Sequence, residues 1–325
     1  MGIKYLNKYL QSNCKSSIRQ IGLHDLRDKK IVIDTSIYLY RFLGENALLE
    51  NFYLMISIFR EYNIIPLFVF DGKPPKEKYE LLKKRKLDKK KAEAKYNELD
   101  CKIKDSVDDM NKHEEKEIKE TMEILKKDFI RLHHTDIENV KLLFQAYGVS
   151  YIEAPGEADK LCAKLVCKNK AHACLSEDMD LFVYGCPRVL RYMSLLKKTV
   201  VMYNLKDMLS ELDLTQDEFR SICIVSGTDY NVGCDDSGNN LIKTLKYFKK
   251  YKKSGRDVTG GFYEWLEKNT KYITDVIELY IVHSLFTLED MDEYKQYEKL
   301  RIVNGPINKS NLITVMEKEN FIFAN

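Results

Sequence analysis

Lys30-Ile-Val-Ile-Asp34 and Ile64-Ile-Pro-Leu-Phe-Val-Phe-Asp71 decide how this chain folds. Each is a short apolar run, the length of a buried strand, that ends on an aspartate. Between them, Ser36 to about Leu43 reads as helical, and Phe52 to Tyr62 spaces its apolar residues as an amphipathic helix. Strand, helix and strand in so short a span predict a parallel βαβ unit, and with it an α/β protein built on a central, mainly parallel sheet. Both aspartates then fall at C-terminal strand ends, the edge where open α/β sheets carry their sites.

The pattern repeats downstream. Gly148-Val-Ser-Tyr-Ile152 predicts a third strand, running into Glu153-Ala-Pro-Gly-Glu-Ala-Asp159. Pro155 and Gly156 stop it, and Glu157 begins a helix that reaches about Lys168. Ala171 to Leu175 predicts a fourth strand, followed by Glu177-Asp178-Met179-Asp180. Val189–Tyr192 and Thr199–Tyr203 read as a strand pair around the basic turn Lys197-Lys198, and from Leu205 onward the chain reads as wholly helical. Between Lys73 and about Phe129 no strand pattern occurs. Its Ala, Glu, Lys and Leu favour one or two long exposed helices with a hinge near Asp100–Asp105.

With 325 residues, 44% of them hydrophobic, the chain can build one large core, or one core and an appended lobe. The net charge of +3, from 53 basic and 50 acidic residues, hides segregation. Lys73 to Lys91 holds ten basic residues and three acidic ones, and Leu241 to Arg256 holds seven basic residues and no acid. Such blocks serve nucleic-acid binding, although one block alone reads as a solvated helix face. No stretch is apolar enough to span a bilayer, and the N-terminus lacks a secretory apolar region. The eight cysteines form no Cys-x-x-Cys pair and no zinc-finger spacing; several lie in apolar stretches and read as small buried hydrophobes, which suggests a reducing compartment.

Asp34, Asp71, Glu157, Asp159, Glu177, Asp178, Asp180 and Asp229, the last in Ser226-Gly-Thr-Asp-Tyr230, all fall at predicted element ends. Singly, each has an ordinary reading. Asp34 caps a helix, Asp71 and Asp229 are turn residues, Glu157 and Asp159 complement a helix dipole, and residues 177–180 are a solvated loop. Glu157 and Asp159 would point to nearly opposite sides of a regular helix, so a shared site needs its irregular first turn. Four strands delivering acid to one edge favour the shared site. Carboxylates gathered this way repel one another unless a hard cation sits among them. An all-oxygen set suits two Mg²⁺ ions, with Mn²⁺ able to substitute, and an acidic pit in a basic surface suits phosphodiester hydrolysis.

In chain order, Met1-Gly2-Ile3, Ile33-Asp34-Thr35-Ser36, Phe70-Asp71-Gly72-Lys73-Pro74-Pro75, the segment Glu153 to Asp159, Ser176 to Asp180 and Ser226 to Tyr230 resemble the flap endonuclease branch of the structure-specific 5′-nucleases. The resemblance covers roughly residues 1–255. It implies a PIN-like nuclease core over residues 1–225, with a helical arch at about 73–129. Residues 226–325 would form a helical DNA-binding lobe, with a helix–turn–helix at 226–256, and the C-terminal helices. Asp34, Asp71, Glu157, Asp159, Asp178, Asp180 and Asp229 match the family's metal acids, and Glu177 falls between ligands. Position 159 is usually Glu there. Lys78 and Arg85 match the catalytic cations at the base of the arch; seven apart on one helix, they would share a face.

Tyr40 matches an aromatic that stacks on a nucleobase, Gly2 a small residue that lets DNA approach, and Lys243, Lys246, Lys249 and Lys250 supply a duplex grip. The implied partner is branched or nicked DNA with a 5′ flap or 5′ end, handled by a monomer at an intracellular site of DNA replication such as the nucleus. There are departures from the family. Gly44 to Asn51 is a shorter connection, in the segment that shapes a 3′-flap pocket. Tyr230 to Asn240 lacks the glycine-proline-lysine hairpin, so no potassium site is expected there. The tail Asn320 to Asn325 lacks a sliding-clamp box. A 5′-3′ exonuclease, a Holliday-junction resolvase, an RNA-cleaving relative and a silent DNA-structure-binding protein remain open on this scaffold. The arch favours flaps, and the seven matched acids argue against silence.

Overall fold

The computed structural model describes residues 2–105, 111–231, 240–254, 261–273, 275–288, 292–318 and 321. The chain opens with helix α1 (Leu6–Asn13) and strand β1 (Ile18–Gly22). The βαβ unit follows as β2 (Lys30–Asp34), α2 (Thr35–Gly44), α3 (Leu48–Glu61) and β3 (Ile65–Phe70). A 3-10 turn at Lys76–Lys78 leads into the long helices α4 (Tyr79–Asp105) and α5 (Lys112–Asp128). Then come α6 (His134–Tyr147), β4 (Ser150–Glu153), α7 (Ala158–Cys167), β5 (Ala173–Leu175), α8 (Asp180–Tyr184), β6 (Arg188–Ser194) and β7 (Thr199–Asn204). The described remainder is helical: α9 (Leu205–Leu212), α10 (Gln216–Val225), α11 (Leu241–Lys253), α12 (Phe262–Asn269), α13 (Val276–Leu285), α14 (Asp292–Lys295) and α15 (Lys309–Glu317).

The strands form one sheet in the order β1-β7-β6-β5-β2-β3-β4. From β6 to β4 all neighbours are parallel, while β7 runs antiparallel to both β6 and β1. The chain leaves β2 to one side for β3 and β4, then returns to its other side for β5. That reversal opens a crevice at the C-terminal ends of β2 and β5, where α/β sheets bind ligands.

Both faces of the sheet are covered, which explains why the strands read as continuous apolar runs. Successive side chains alternate. Val32, Leu67 and Val69 join a cluster with α1, α7, α8 and α10, whereas Ile31, Ile33, Phe68 and Phe70 join one with α2, α3, α6 and α15. The second cluster centres on Phe68, whose ring stacks on Phe144 at 4.0 Å, with the fully buried Phe52 against both. Truncating Phe144 to alanine would cost about 3–5 kcal/mol.

No described residue of α4 or α5 belongs to either core cluster; the two helices pack along each other, and the segment just after α5 ties back to α4. Tyr96 meets Phe129 edge-on at 5.4 Å, Arg131 pairs with Glu93 at 2.6 Å, and Lys89 Nζ donates to the Ile130 carbonyl at 3.1 Å. The hinge predicted near Asp100–Asp105 is not there, because α4 runs unbroken to Asp105, and residues 106–110 lie outside the described residues. Two N-terminal elements were not predicted: α1, anchored by buried Leu6 and Leu10, and the edge strand β1. At the other end, α15 returns to α6, burying Leu312, Val315 and Met316.

Candidate active site

The crevice gathers the acids by backbone geometry. Asp34 stands at the position before α2 with φ −70° and makes no capping bond. Its carboxylate accepts instead from Ser176 Oγ, just beyond β5, at 3.0 Å. This hydrogen bond ties the ends of β2 and β5 together. Asp71, after β3, accepts from the Ala158 backbone N–H at 2.8 Å and from Ser36 Oγ. Gly72 is required beside it. Its N–H reaches the Gly156 carbonyl at 2.7 Å, and a Cβ there would lie 2.0 Å from the Ala154 oxygen.

Glu157 and Asp159 escape the opposite-sides problem as the sequence required. Glu157 is extended and precedes α7, while Asp159 sits in its first turn, buried. Glu157 accepts from Lys78 Nζ and from Tyr230 Oη. Asp178 accepts from the Asp180 N–H at 3.0 Å, and its own N–H reaches Ser176 Oγ at 3.1 Å. Asp180 begins α8 with one buried carboxylate oxygen that has no hydrogen-bond partner. Gly2 approaches these two acids with φ +78°. A Cβ on it would stand 2.6 Å from Asp180 Oδ1 and 3.0 Å from Asp178 Oδ1.

The arch meets the acids at its foot. Lys78 lies in the 3-10 turn rather than in α4, so the two cations do not share a regular helix face. They still converge. Lys78 Nζ holds Glu157 and lies 3.6 Å from Asp229, and Arg85 donates to Asp229 at 2.8 Å. Tyr230, next to Asp229, completes the wall through its bond to Glu157 and a 3.0 Å contact with Tyr184 Oη. Tyr40 is exposed on α2, with Lys89 Nζ 4.9 Å from its ring centre. Glu177 is not among this set; it turns toward Arg191 and the Tyr192 backbone.

The acids strain against ionisation. Burial first, then the charges of Asp71 and Asp178, push the Asp34 carboxyl up to about 8. Burial with Glu157 and Asp178 holds Asp159 well above the carboxylate range, and burial with Asp178 and Asp229 does the same to Asp180. Burial alone would lower the Lys78 ammonium, but Glu157, Asp159 and Asp229 outweigh it and hold it above its ordinary value. Mutual repulsion and an orphaned buried carboxylate oxygen are what a divalent cation relieves. The donors are all oxygens, which fits Mg²⁺ or Mn²⁺ better than zinc. As they stand, no three acidic, histidine or cysteine side chains among the described residues close to ligating distance of one point. Lys78 and Arg85 bring positive charge among the acids.

Lys243, Lys246, Lys249 and Lys250 lie apart from these acids in sequence, exposed on α11. With Tyr247 and Lys253 they line a basic groove of about 410 Å³. The hairpin residues 232–239 fall outside the described residues, as does the tail except Phe321, whose ring packs 5.1 Å from that of Tyr53. Ser36, Ser176, Tyr184 and Tyr230 were missed from the sequence. Three of the four adjoin or nearly adjoin an acid, and that adjacency was the available signal.

Residues 1–92 match the XPG N-terminal domain and residues 148–229 the XPG I-region. Flap endonuclease 1 of Zea mays is 33% identical over 76% of this chain and 66% of that protein. Flap endonuclease 1 of Candida tropicalis is 31% identical over 84% of this chain and 72% of its own length, and that of Candida dubliniensis 31% over 98% and 82%. Among solved structures, the catalytic core of Rad2 in complex with DNA substrate aligns at TM-score 0.66, with 20% identity over 98% of this chain and 94% of that one. Flap endonuclease-1 from Methanococcus jannaschii aligns at 0.59, with 24% identity over 93% and 90%. These two likenesses bear on fold.

Proposed function

This chain belongs to the flap endonuclease family of structure-specific 5′-nucleases, and from that premise we propose that it hydrolyses a DNA phosphodiester where a 5′ single-stranded flap leaves a duplex. The observation that carries the proposal is the meeting of Lys78 and Arg85, from the arch, with Glu157, from the sheet edge, and Asp229, just beyond α10. Positive groups poised over a carboxylate pit are what a phosphodiester transition state requires.

Asp34, Asp71, Glu157, Asp159, Asp178, Asp180 and Asp229 would hold two Mg²⁺ ions, with Mn²⁺ able to substitute. When bound, such a pair supplies an activated water and neutralises the leaving oxygen. Lys78 and Arg85 would exchange part of their hold on Glu157 and Asp229 for the non-bridging oxygens of the scissile phosphate, where negative charge builds. The products would be a 5′-phosphate and a 3′-hydroxyl.

The remaining residues position DNA. Tyr40 offers its exposed ring to a nucleobase next to the cleaved bond, with Lys89 exchanging that ring for the backbone. Gly2 leaves the acids open to the strand. The α4–α5 arch would surround the flap. Lys243, Lys246, Lys249 and Lys250 would neutralise duplex phosphates, an interaction that carries no sequence information. Flap removal belongs to DNA replication and repair, so the protein would act as a monomer in the nucleus or another intracellular site of replication.

Product analysis tests this reading. A 5′-labelled flap, a nicked duplex and a four-way junction are incubated with the protein in Mg²⁺ and in EDTA. Release of the intact flap in Mg²⁺ alone supports the proposal. Mononucleotides, paired junction nicks, or cleavage that persists in EDTA would refute it.

A further inference from the structure

Glu177 opens the acidic run 177–180 yet does not join the other acids. Its surroundings assign it a different task. Arg191, on β6 and 5% exposed, donates from Nη2 to the Glu177 carbonyl at 2.9 Å and sets Nε 3.5 Å from the Glu177 carboxylate. The sheet register slips between Arg191 and Ser194, and Tyr192 takes φ +54°. Such a bulge re-aims backbone groups. Here it turns the Tyr192 N–H to Glu177 Oε1 at 2.6 Å. The loop carrying Asp178 and Asp180 is thus gripped by main chain and side chain at the residue before its first acid.

The same guanidinium reaches the N-terminus. Arg191 Nη1 donates to Asn7 Oδ1 at 2.6 Å, and that oxygen also accepts from Tyr203 Oη at 2.9 Å. Asn7 Nδ2 in turn donates to Tyr192 Oη at 2.6 Å. Asn7 lies in α1, five residues after Gly2, whose backbone approaches Asp178 and Asp180. One buried arginine therefore fixes both the acid loop and the segment that packs over it. Planar, forked donors suit this better than an ammonium would.

We propose that Arg191 and Glu177 are positioning residues, which hold the loop carrying Asp178 and Asp180 beside the acids at the C-terminal ends of β2 and β3. The inference rests on those acids being metal ligands. Outer partners that orient ligands typically govern affinity by 10–100-fold.

The test is Mn²⁺ binding to the full chain without DNA, by titration calorimetry, alongside thermal melting. The variants are Arg191→Met, Arg191→Lys and Glu177→Ala, with Asp178→Asn as control. The expected result is about 10–100-fold weaker Mn²⁺ binding for Arg191→Met. Partial recovery is expected in Arg191→Lys and a smaller loss in Glu177→Ala, all with cooperative melting. The cleavage rate of these variants should then recover toward wild type at high Mn²⁺, because the ligands themselves remain. If Asp178→Asn loses Mn²⁺ while the folded Arg191 and Glu177 variants bind as wild type does, the clamp is refuted and the metal site stands. Should Arg191→Met fail to fold, wild-type affinity in Glu177→Ala refutes the clamp equally. If the wild type binds no Mn²⁺, both readings fail together.

Discussion

Lys78 Nζ, at the foot of the arch, donates to Glu157 at the start of α7 and stands 3.6 Å from Asp229. One side chain thereby joins three parts of the chain that are far apart in sequence. It also supplies positive charge to acids that would otherwise repel.

Two effects should follow from Lys78→Met. Cleavage at saturating Mg²⁺ should fall by about 10²–10³-fold while flap binding changes little, because a charge that acts on the transition state is removed. Thermal stability should fall more in EDTA than in Mg²⁺, because Glu157 and Asp229 lose their cation only when no other replaces it. Single-turnover rates and paired melting curves measure both. Equal destabilisation with and without Mg²⁺ would contradict the second.

The acids give the metal-free protein a particular pH dependence. Folded Asp34 holds its proton up to about 8, against 3.8 ordinarily, so between those values the folded state carries a proton that the unfolded state has lost. Its contribution to stability therefore declines as pH rises through that window, and Asp159 and Asp180 act in the same direction. In EDTA, melting temperature relative to Asp34→Asn should fall from pH 5 to pH 8, and Mg²⁺ should abolish the fall. A wild-type curve that rises against the variant would contradict this.

Gly2→Ala should impair activity without unfolding the chain. The new methyl would press on Asp180 and Asp178, and φ +78° adds about 1–2 kcal/mol of local strain. A displacement of about 1 Å in the ligands costs on the order of 10²-fold in rate. Cleavage kinetics at several Mg²⁺ concentrations check this, and an unchanged rate would mean that Gly2 does not border the reacting centre.

Replacing Lys243, Lys246, Lys249 and Lys250 with alanine should leave cleavage chemistry intact and flatten the salt dependence of binding. Every phosphate that goes unneutralised lowers the log–log slope by about 0.9, so four should lower it by roughly 3–4. All four lysines are exposed, and folding should be unaffected. An unchanged slope would remove α11 from the DNA-binding surface.

Much of this site was legible because β2, β3 and β5 are apolar on both faces and stop at, or one or two residues before, acids. Buried parallel strands leave that signature in a sequence. The edge strand β1 does not, since Arg19 and Gln20 face solvent and its apolar content is low. The positions of Glu157 and Asp159 could be reasoned from helix period alone, because extended and helical residues aim differently. The partners of Lys78, Tyr230 and Arg191 could not. Those hydrogen bonds span 79, 73 and 184 residues, and nothing local in the chain specifies them.

Asp178→Asn tests the central claim most directly, measured for 5′-flap cleavage and for flap binding in the same buffer. The substitution keeps the size of the side chain and removes the charge that would hold a cation. The account predicts binding within about threefold of wild type and a cleavage rate lower by several powers of ten, since only metal-held charge is removed. Cleavage at the wild-type rate would contradict it and would take the acids out of the chemistry.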